Sequence, residues 1–280
     1  MLKPSVVRVI EDPGVKGPGL QALLEAAISD FLAGRVQAVL IAAPWGEKSL
    51  LHGYYQAYRE PPKGYAARRR ISGGPDILVE PRDYYIGLFY ASESLDEVVD
   101  LARRIEQANR DAIKGWGATR LGPRPLAAGV VEAVLTVRPS IDSIIELLNP
   151  EGPRIVRDYL PLEAARKLED FYENPRWPRY YGAMGLPYVC EMKRDGFLLR
   201  TGASLTEDKY FAVVRVDGTF HAAPPSGPFS MASFLEGMPF NELTLDALEI
   251  RAATQIEWYP FDPLDVRRCF ERLTRQGEGS

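Results

Sequence analysis

Apolar positions recur at helical spacing from Gly19 to Ala33, where Leu20, Leu23, Leu24, Ala27, Ile28, Phe31 and Leu32 form one stripe and Gly34 stands as a C-cap. Val36 to Ala43 is a nearly unbroken apolar run, the pattern of a buried strand. Ser49 to Gly53, Tyr65 to Ile71 and Tyr84 to Tyr90 read as further strands, rich in aromatic and β-branched residues. A second helix is expected from Ser94, where Ser94 and Glu97 make a capping box ahead of the stripe Val98, Leu101, Ala102, Ile105 and Ala108. Gly115-Trp116-Gly117 is expected to end that helix, and the Gly-, Pro- and Arg-rich segment Thr119–Ala128 to be a loop. Val130–Val137 reads as a strand, and Ser140–Leu148 and Leu162–Tyr172 as helices.

Asn174 to Pro187 holds three prolines, two glycines and several aromatics, the composition of a connection between domains. Beyond it, strands 209–216 and 219–223 flank Asp217-Gly218, the strongest short hairpin signal. Helices are expected at Ser230–Glu236, at Thr244–Thr254 and from Pro263, capped by Asp262, to Gln276. The order implies an α+β fold: a mixed sheet with flanking helices over residues 1–182, then a small α+β unit over 183–280.

Composition narrows the classes of function. With 280 residues, 46% of them hydrophobic, the chain can bury a full core. No apolar stretch reaches the roughly 18 residues of a membrane span, and Met1–Ile10 lacks the layout of a secretory signal, so a cytoplasmic protein is expected. A net charge of −4 gives no general attraction to nucleic acid. Cys190 and Cys269 are too few and too far apart to suggest a disulfide framework or a zinc site, and each reads as a buried hydrophobe. His52 and His221 carry no motif, which disfavours a metal centre.

The most unusual segment is Arg68-Arg69-Arg70-Ile71-Ser72-Gly73-Gly74. A strand that ends in arginines and runs into Ser-Gly-Gly places fixed cations beside a backbone able to form an anion-binding nest. A charged strand edge followed by a turn is the competing explanation.

Arg69-Arg70-Ile71-Ser72-Gly73-Gly74 resembles the first half of the Arg-Arg-x-Ser-Gly-Gly-Gly-Ala-Val signature of lipoate-protein ligases, which belong to the biotin/lipoate ligase fold. Upstream, Gly53, Tyr55 and Gln56 match that family's Gly-Arg-aromatic-Gln segment, and Leu235-Glu236-Gly237 is similar to a segment of its accessory domain. The resemblance implies activation of lipoate or octanoate with ATP and Mg²⁺, and acyl transfer to a lysine of a lipoyl carrier domain. It assigns ligand contacts to Arg69, Arg70, Ser72, Gly73, Gly74, Gly53 and Gln56.

Three positions depart from the signature. Pro75 replaces the third glycine and removes an amide donor, and Val79-Glu80 stands where His-Asp is expected. Between Gly115 and Gly129 the expected lysine is missing; Arg120 and Arg124 are the candidate substitutes, and Lys114 just precedes the segment. An arginine fork does not reproduce a placed ammonium. Two readings follow: an acyl–protein ligase or acyltransferase with a weakened site, and a non-catalytic binding or partner protein that keeps the ligase fold.

Overall fold

The computed structural model describes residues 3–122, 127–180, 182–183 and 185–277. Its elements are, in order, β1 (Val6–Glu11), α1 (Pro18–Leu32), β2 (Ala38–Pro44), β3 (Ser49–His52), β4 (Ala66–Arg69), β5 (Ile77–Val79), β6 (Tyr84–Ser92) and α2 (Leu95–Ala108). They continue with β7 (Ile113–Leu121), β8 (Ala127–Leu135), α3 (Ile141–Leu148), β9 (Arg154–Val156) and α4 (Leu162–Glu173). The C-terminal elements are β10 (Tyr188–Arg194), β11 (Phe197–Leu205), β12 (Phe211–Gly218), β13 (His221–Ala223), α5 (Gly227–Leu235), α6 (Glu242–Gln255), β14 (Glu257–Tyr259) and α7 (Pro263–Gly277).

Six strands form one mixed sheet in the order β7-β8-β6-β2-β1-β9. β1 runs parallel to β2 and β9, and the other neighbours are antiparallel. Strand β2 is apolar on both faces because both are covered. Val39, Ile41 and Ala43 pack with Leu20, Leu23, Leu24 and Ala27 of α1, while Leu40 and Ala42 pack with Val98, Leu101 and Ile105 of α2 and Ile144 of α3. Ser94 caps α2 through its hydroxyl, which accepts the Glu97 amide; the Glu97 carboxylate reaches back to Glu93 N–H. A small sheet, β4-β3-β5, lies beside α1, with Leu51 and Ile77 in the same core.

The C-terminal elements build a third core around Leu199, Val214, Phe220, Met231, Leu248 and Phe270, which also takes in Tyr55 from the first half of the chain. These layers give the expected α+β architecture.

Four local expectations need correction. Gly115-Trp116-Gly117 lies inside β7 rather than ending a helix, and the expected loop Thr119–Ala128 begins with the end of β7 (to Leu121) and finishes in the start of β8 (from Ala127). The glycines there serve close packing: a Cβ on Gly117 would sit 2.2 Å from the Gly73 carbonyl oxygen. Asp217-Gly218 is no hairpin turn, since β12 pairs with β11 and β13 pairs with β14. Gly218 is needed because a Cβ would meet Leu198 O at 2.0 Å. The two-residue turn is Asp195-Gly196, both at positive φ, joining β10 to β11. Finally, Cys190 and Cys269 form a disulfide that ties β10 to α7. Their separation of 79 residues in sequence hid a Cα–Cα distance of 5.5 Å.

Candidate functional site

Strand β4 delivers Arg69 at its end and Arg70 immediately after it, and the chain then turns through Ser72, Gly73 and Gly74. The two arginines have different roles. Arg69 donates to the carbonyls of Gly53 (2.6 Å), Tyr54 (2.9 Å) and Pro178 (2.6 and 3.2 Å), stitching three backbone segments together. Burial pulls its pKa down to about 10, so it stays protonated at neutral pH. Arg70 is fully buried. Its Nη2 donates to Pro75 O at 2.6 Å, whereas Nε and Nη1 find no hydrogen-bond partner among the described residues. Arg68 points elsewhere and pairs with Glu47 at 2.9 Å.

The glycine turn is clamped between three neighbours, Gly53, Gly117 and Phe220. A Cβ on Gly53 would lie 2.0 Å from Gly74 O, and one on Gly117 would lie 2.4 Å from Ser72 Oγ. Only glycine lets the segments approach so closely. The loop's backbone donors are used within the protein. Ser72 N–H donates to the Glu132 carboxylate at 2.8 Å, Gly73 N–H to Ala118 O at 3.4 Å and Gly74 N–H to Phe220 O at 3.3 Å. Pro75 has no amide hydrogen to offer. Glu132 is itself buried on β8 and also accepts the Tyr85 hydroxyl at 2.8 Å. Its charge and that of Asp76 act on Arg70 against the burial that lowers that guanidinium's pKa.

Both histidines come to this region. His221 Nδ1 accepts the Ala118 amide at 3.3 Å, and its ring stacks on Trp116 with centroids 5.0 Å apart. Burial, helped by the Arg70 charge, lowers its pKa to about 3, so the ring is neutral. His52 Nδ1 lies 3.0 Å from Asp76 Oδ1, and its backbone carbonyl accepts Arg70 N–H at 2.8 Å. His221 Nε2, His52 Nε2 and Ser72 Oγ, like Arg70 Nε and Nη1, are buried without a partner among the described residues.

The structure therefore gathers Gly53, Arg70, Ser72, Gly73 and Gly74 at one point, with Arg69 alongside. Gln56 is buried nearby, its amide bonded to Gly53 O at 3.0 Å. Arg120 is not part of the cluster. On β7 it sits opposite Gly129, so it shares the α2 face of the sheet, whereas Gly117 and Glu132 share the other. There it pairs with Glu257 and donates to Ser92 O at 3.0 Å. Arg124 lies outside the described residues. Lys114 belongs to β7, not to a helix end, and its ammonium bonds Asp83 at 2.5 Å.

Sequence reasoning missed Glu132, His52 and His221. One signal for Glu132 was present: a single carboxylate in the otherwise apolar run Val130–Leu135. Cavities of about 200–480 Å³ among the described residues are lined by residues outside the arginine–glycine loop.

No protein-family model matches the chain, and no curated protein matches its sequence. Solved structures do match. P. falciparum LipL1 in complex with lipoate aligns at a TM-score of 0.62 and 7% identity, covering 94% of this chain and 98% of that one. Ta0514, a putative lipoate protein ligase from T. acidophilum with bound lipoic acid, aligns at 0.43 and 17% identity over 62% of this chain and 98% of that one. A lipoate-protein ligase A bound with ATP gives 0.42 and 17% over the same shares. Through the likeness to the first of these, which spans nearly the whole of both chains, the protein has the lipoate-protein ligase fold.

Proposed function

We propose that this chain is a lipoate-ligase-like protein that has given up adenylate formation for a binding role, with a lipoyl carrier domain as its partner. The observation that carries this reading is the internal use of the loop's donors. An acyl-adenylate or the phosphates of ATP would need the amides of Ser72, Gly73 and Gly74, which bond Glu132, Ala118 and Phe220 instead. ATP and Mg²⁺ therefore do not fit this loop as it stands, and no catalytic step is routed through them. One lost donor in a preorganised site typically costs about 10²–10³ in rate.

The carrier domain is the partner the family resemblance offers. A ligase structure from Thermoplasma acidophilum is described together with its E2 lipoyl domain. Titration calorimetry of this protein with a lipoyl carrier domain tests the reading. Micromolar binding that does not require ATP supports it, and no heat at either lipoylation state of the carrier sinks it. The reading keeps the protein in the cytoplasm.

A second reading is favoured by one specific observation: the unpartnered Ser72 Oγ and Arg70 Nη1 converge on the point that a Cβ on Gly117 would occupy, at 2.4 and 3.0 Å. Buried polar groups without partners are costly. A small anionic ligand that displaced the Phe220–His221 segment would satisfy them, and Lys114, three residues before Gly117 on β7, would then be the lysine nearest in sequence to the loop's contact at Gly117. ATP–pyrophosphate exchange above background, lost in a Lys114→Met variant, would select this reading.

A further inference from the structure

The sheet β10-β11-β12 has two outer edges, and the chain treats them differently. On β12 the outward backbone groups are closed off by side chains. Val214 N–H donates to the Glu236 carboxylate at 3.0 Å, Arg215 Nη1 donates to Val214 O at 2.6 Å, and the Tyr180 hydroxyl donates to Val216 O at 2.9 Å. The edge of β10 is open. The two-residue turn Asp195-Gly196 makes Arg194 and Phe197 the closing hydrogen-bonded pair, so Arg194, Met192, Cys190 and Tyr188 direct their backbone groups to β11. Val189, Glu191 and Lys193 direct theirs outward, where no described residue bonds them.

The cations beside this edge are open too. Asp265, Arg268 and Arg272 recur at three- and four-residue spacing on α7, so they share one flank of the helix. Asp265 pairs at 2.6 Å with Arg194 at the end of β10, and Cys269 is bonded to Cys190, which sets that flank along β10. Arg268 and Arg272 are exposed and, like the exposed Lys193 on the strand itself, have no acidic partner among the described residues. Glu191 is already taken by Arg200 at 2.7 Å.

We propose that the outer edge of β10 is a docking site for an extended acidic segment of a partner protein, which adds to the sheet as a further strand. The open edge sets the shape of the occupant: an extended backbone supplies donors and acceptors at the spacing of Val189, Glu191 and Lys193. Charge sets its side chains. Alternate side chains of an added strand lie on the α7 side, where carboxylates meet Arg268 and Arg272, and those of the other face lie beside Lys193. A second copy of this chain fits less well, because a two-fold through this edge brings the arginine flanks of two α7 helices together. The site shares no residue with the glycine loop and stands whether or not a carrier domain binds.

Fluorescence anisotropy of a labelled peptide of alternating glutamate and valine, titrated with the full chain, tests this. The expected result is saturable binding that is absent for an alternating lysine–valine peptide and for the acidic peptide N-methylated at alternate residues. Glu191→Pro removes an outward N–H at an edge position, where proline is tolerated, and should raise Kd by about tenfold. Glu191→Ala keeps that N–H and should bind no more weakly than the wild type. Arg268→Glu combined with Arg272→Glu should abolish binding at an unchanged Tm, and covers the case in which the proline variant misfolds. No binding of the acidic peptide, or binding that Glu191→Pro and the double arginine variant both leave intact, overturns the proposal. So does a dimer of the free chain that Glu191→Pro dissolves, which would give the edge to a second copy.

Discussion

Glu132 holds Ser72: its carboxylate, buried in the middle of β8, accepts the Ser72 amide at 2.8 Å. It places a negative charge of the protein's own beneath a loop whose sequence promises to bind someone else's. Removing it with Glu132→Ala would leave Arg70 short of its main opposing charge and the Tyr85 hydroxyl without its acceptor. Leaving a buried charge uncompensated costs about 3–5 kcal/mol. Urea denaturation should show a loss of that order, and a loss below about 1 kcal/mol would contradict the role given to Glu132.

His221 makes stability depend on pH. The unfolded chain binds a proton on this ring near 6.5, but the folded protein does not until about 3. Between those values the unfolded state holds more protons, so stability is full above about 6.5 and falls as pH drops toward 3. The loss should amount to a few kcal/mol. His221→Asn should flatten that slope of the stability profile; an unchanged slope would mean that the ring is already protonated in the fold.

Packing at the loop can be tested through the glycines of β7. In Gly117→Ala the new Cβ would meet Gly73 O at 2.2 Å, a backbone atom that cannot step aside. In Gly115→Ala it would meet only the Ile77 side chain at 3.0 Å. Overpacking of this kind costs about 1–3 kcal/mol. The Tm should fall clearly for Gly117→Ala and by much less for Gly115→Ala. Equal effects would argue against the close approach of β7 to the loop.

The disulfide gives a further prediction. It closes a long loop from β10 to α7, so Cys190→Ser with Cys269→Ser should lower stability by about 2–4 kcal/mol. Guanidinium melts with and without reductant should show the same difference in the wild-type chain and none in the double variant. If reductant leaves the wild-type melt unchanged, the pair is not bonded in solution.

Long periodic segments were legible in the sequence because their burial is one-sided and local. The stripe of α1 and the capping of α2 by Ser94 reappear within a residue or two. The β7–β8 region was misread because its glycines obey a distant constraint: Gly117 is shaped by Gly73, far away in the chain. Asp217-Gly218 misled for a related reason, since Gly218 answers to Leu198 O while the identical dipeptide Asp195-Gly196 makes the turn. At the site, Arg70, Ser72, Gly73 and Gly74 were readable as a motif. That Glu132 and the Phe220–His221 segment would meet them there was not, because nothing local ties β8 or the approach to β13 to residues 72–74.

The most direct test of the account is the intact mass of a lipoyl carrier domain after incubation with this protein, ATP, Mg²⁺ and either lipoate or octanoate, beside an active ligase as control. The account predicts an unchanged carrier mass in every arm containing this protein, with the control fully acylated. A lipoyl or octanoyl adduct that disappears with Arg70→Ala would contradict it, and would show that the loop closed by Glu132 and Phe220 opens to do chemistry.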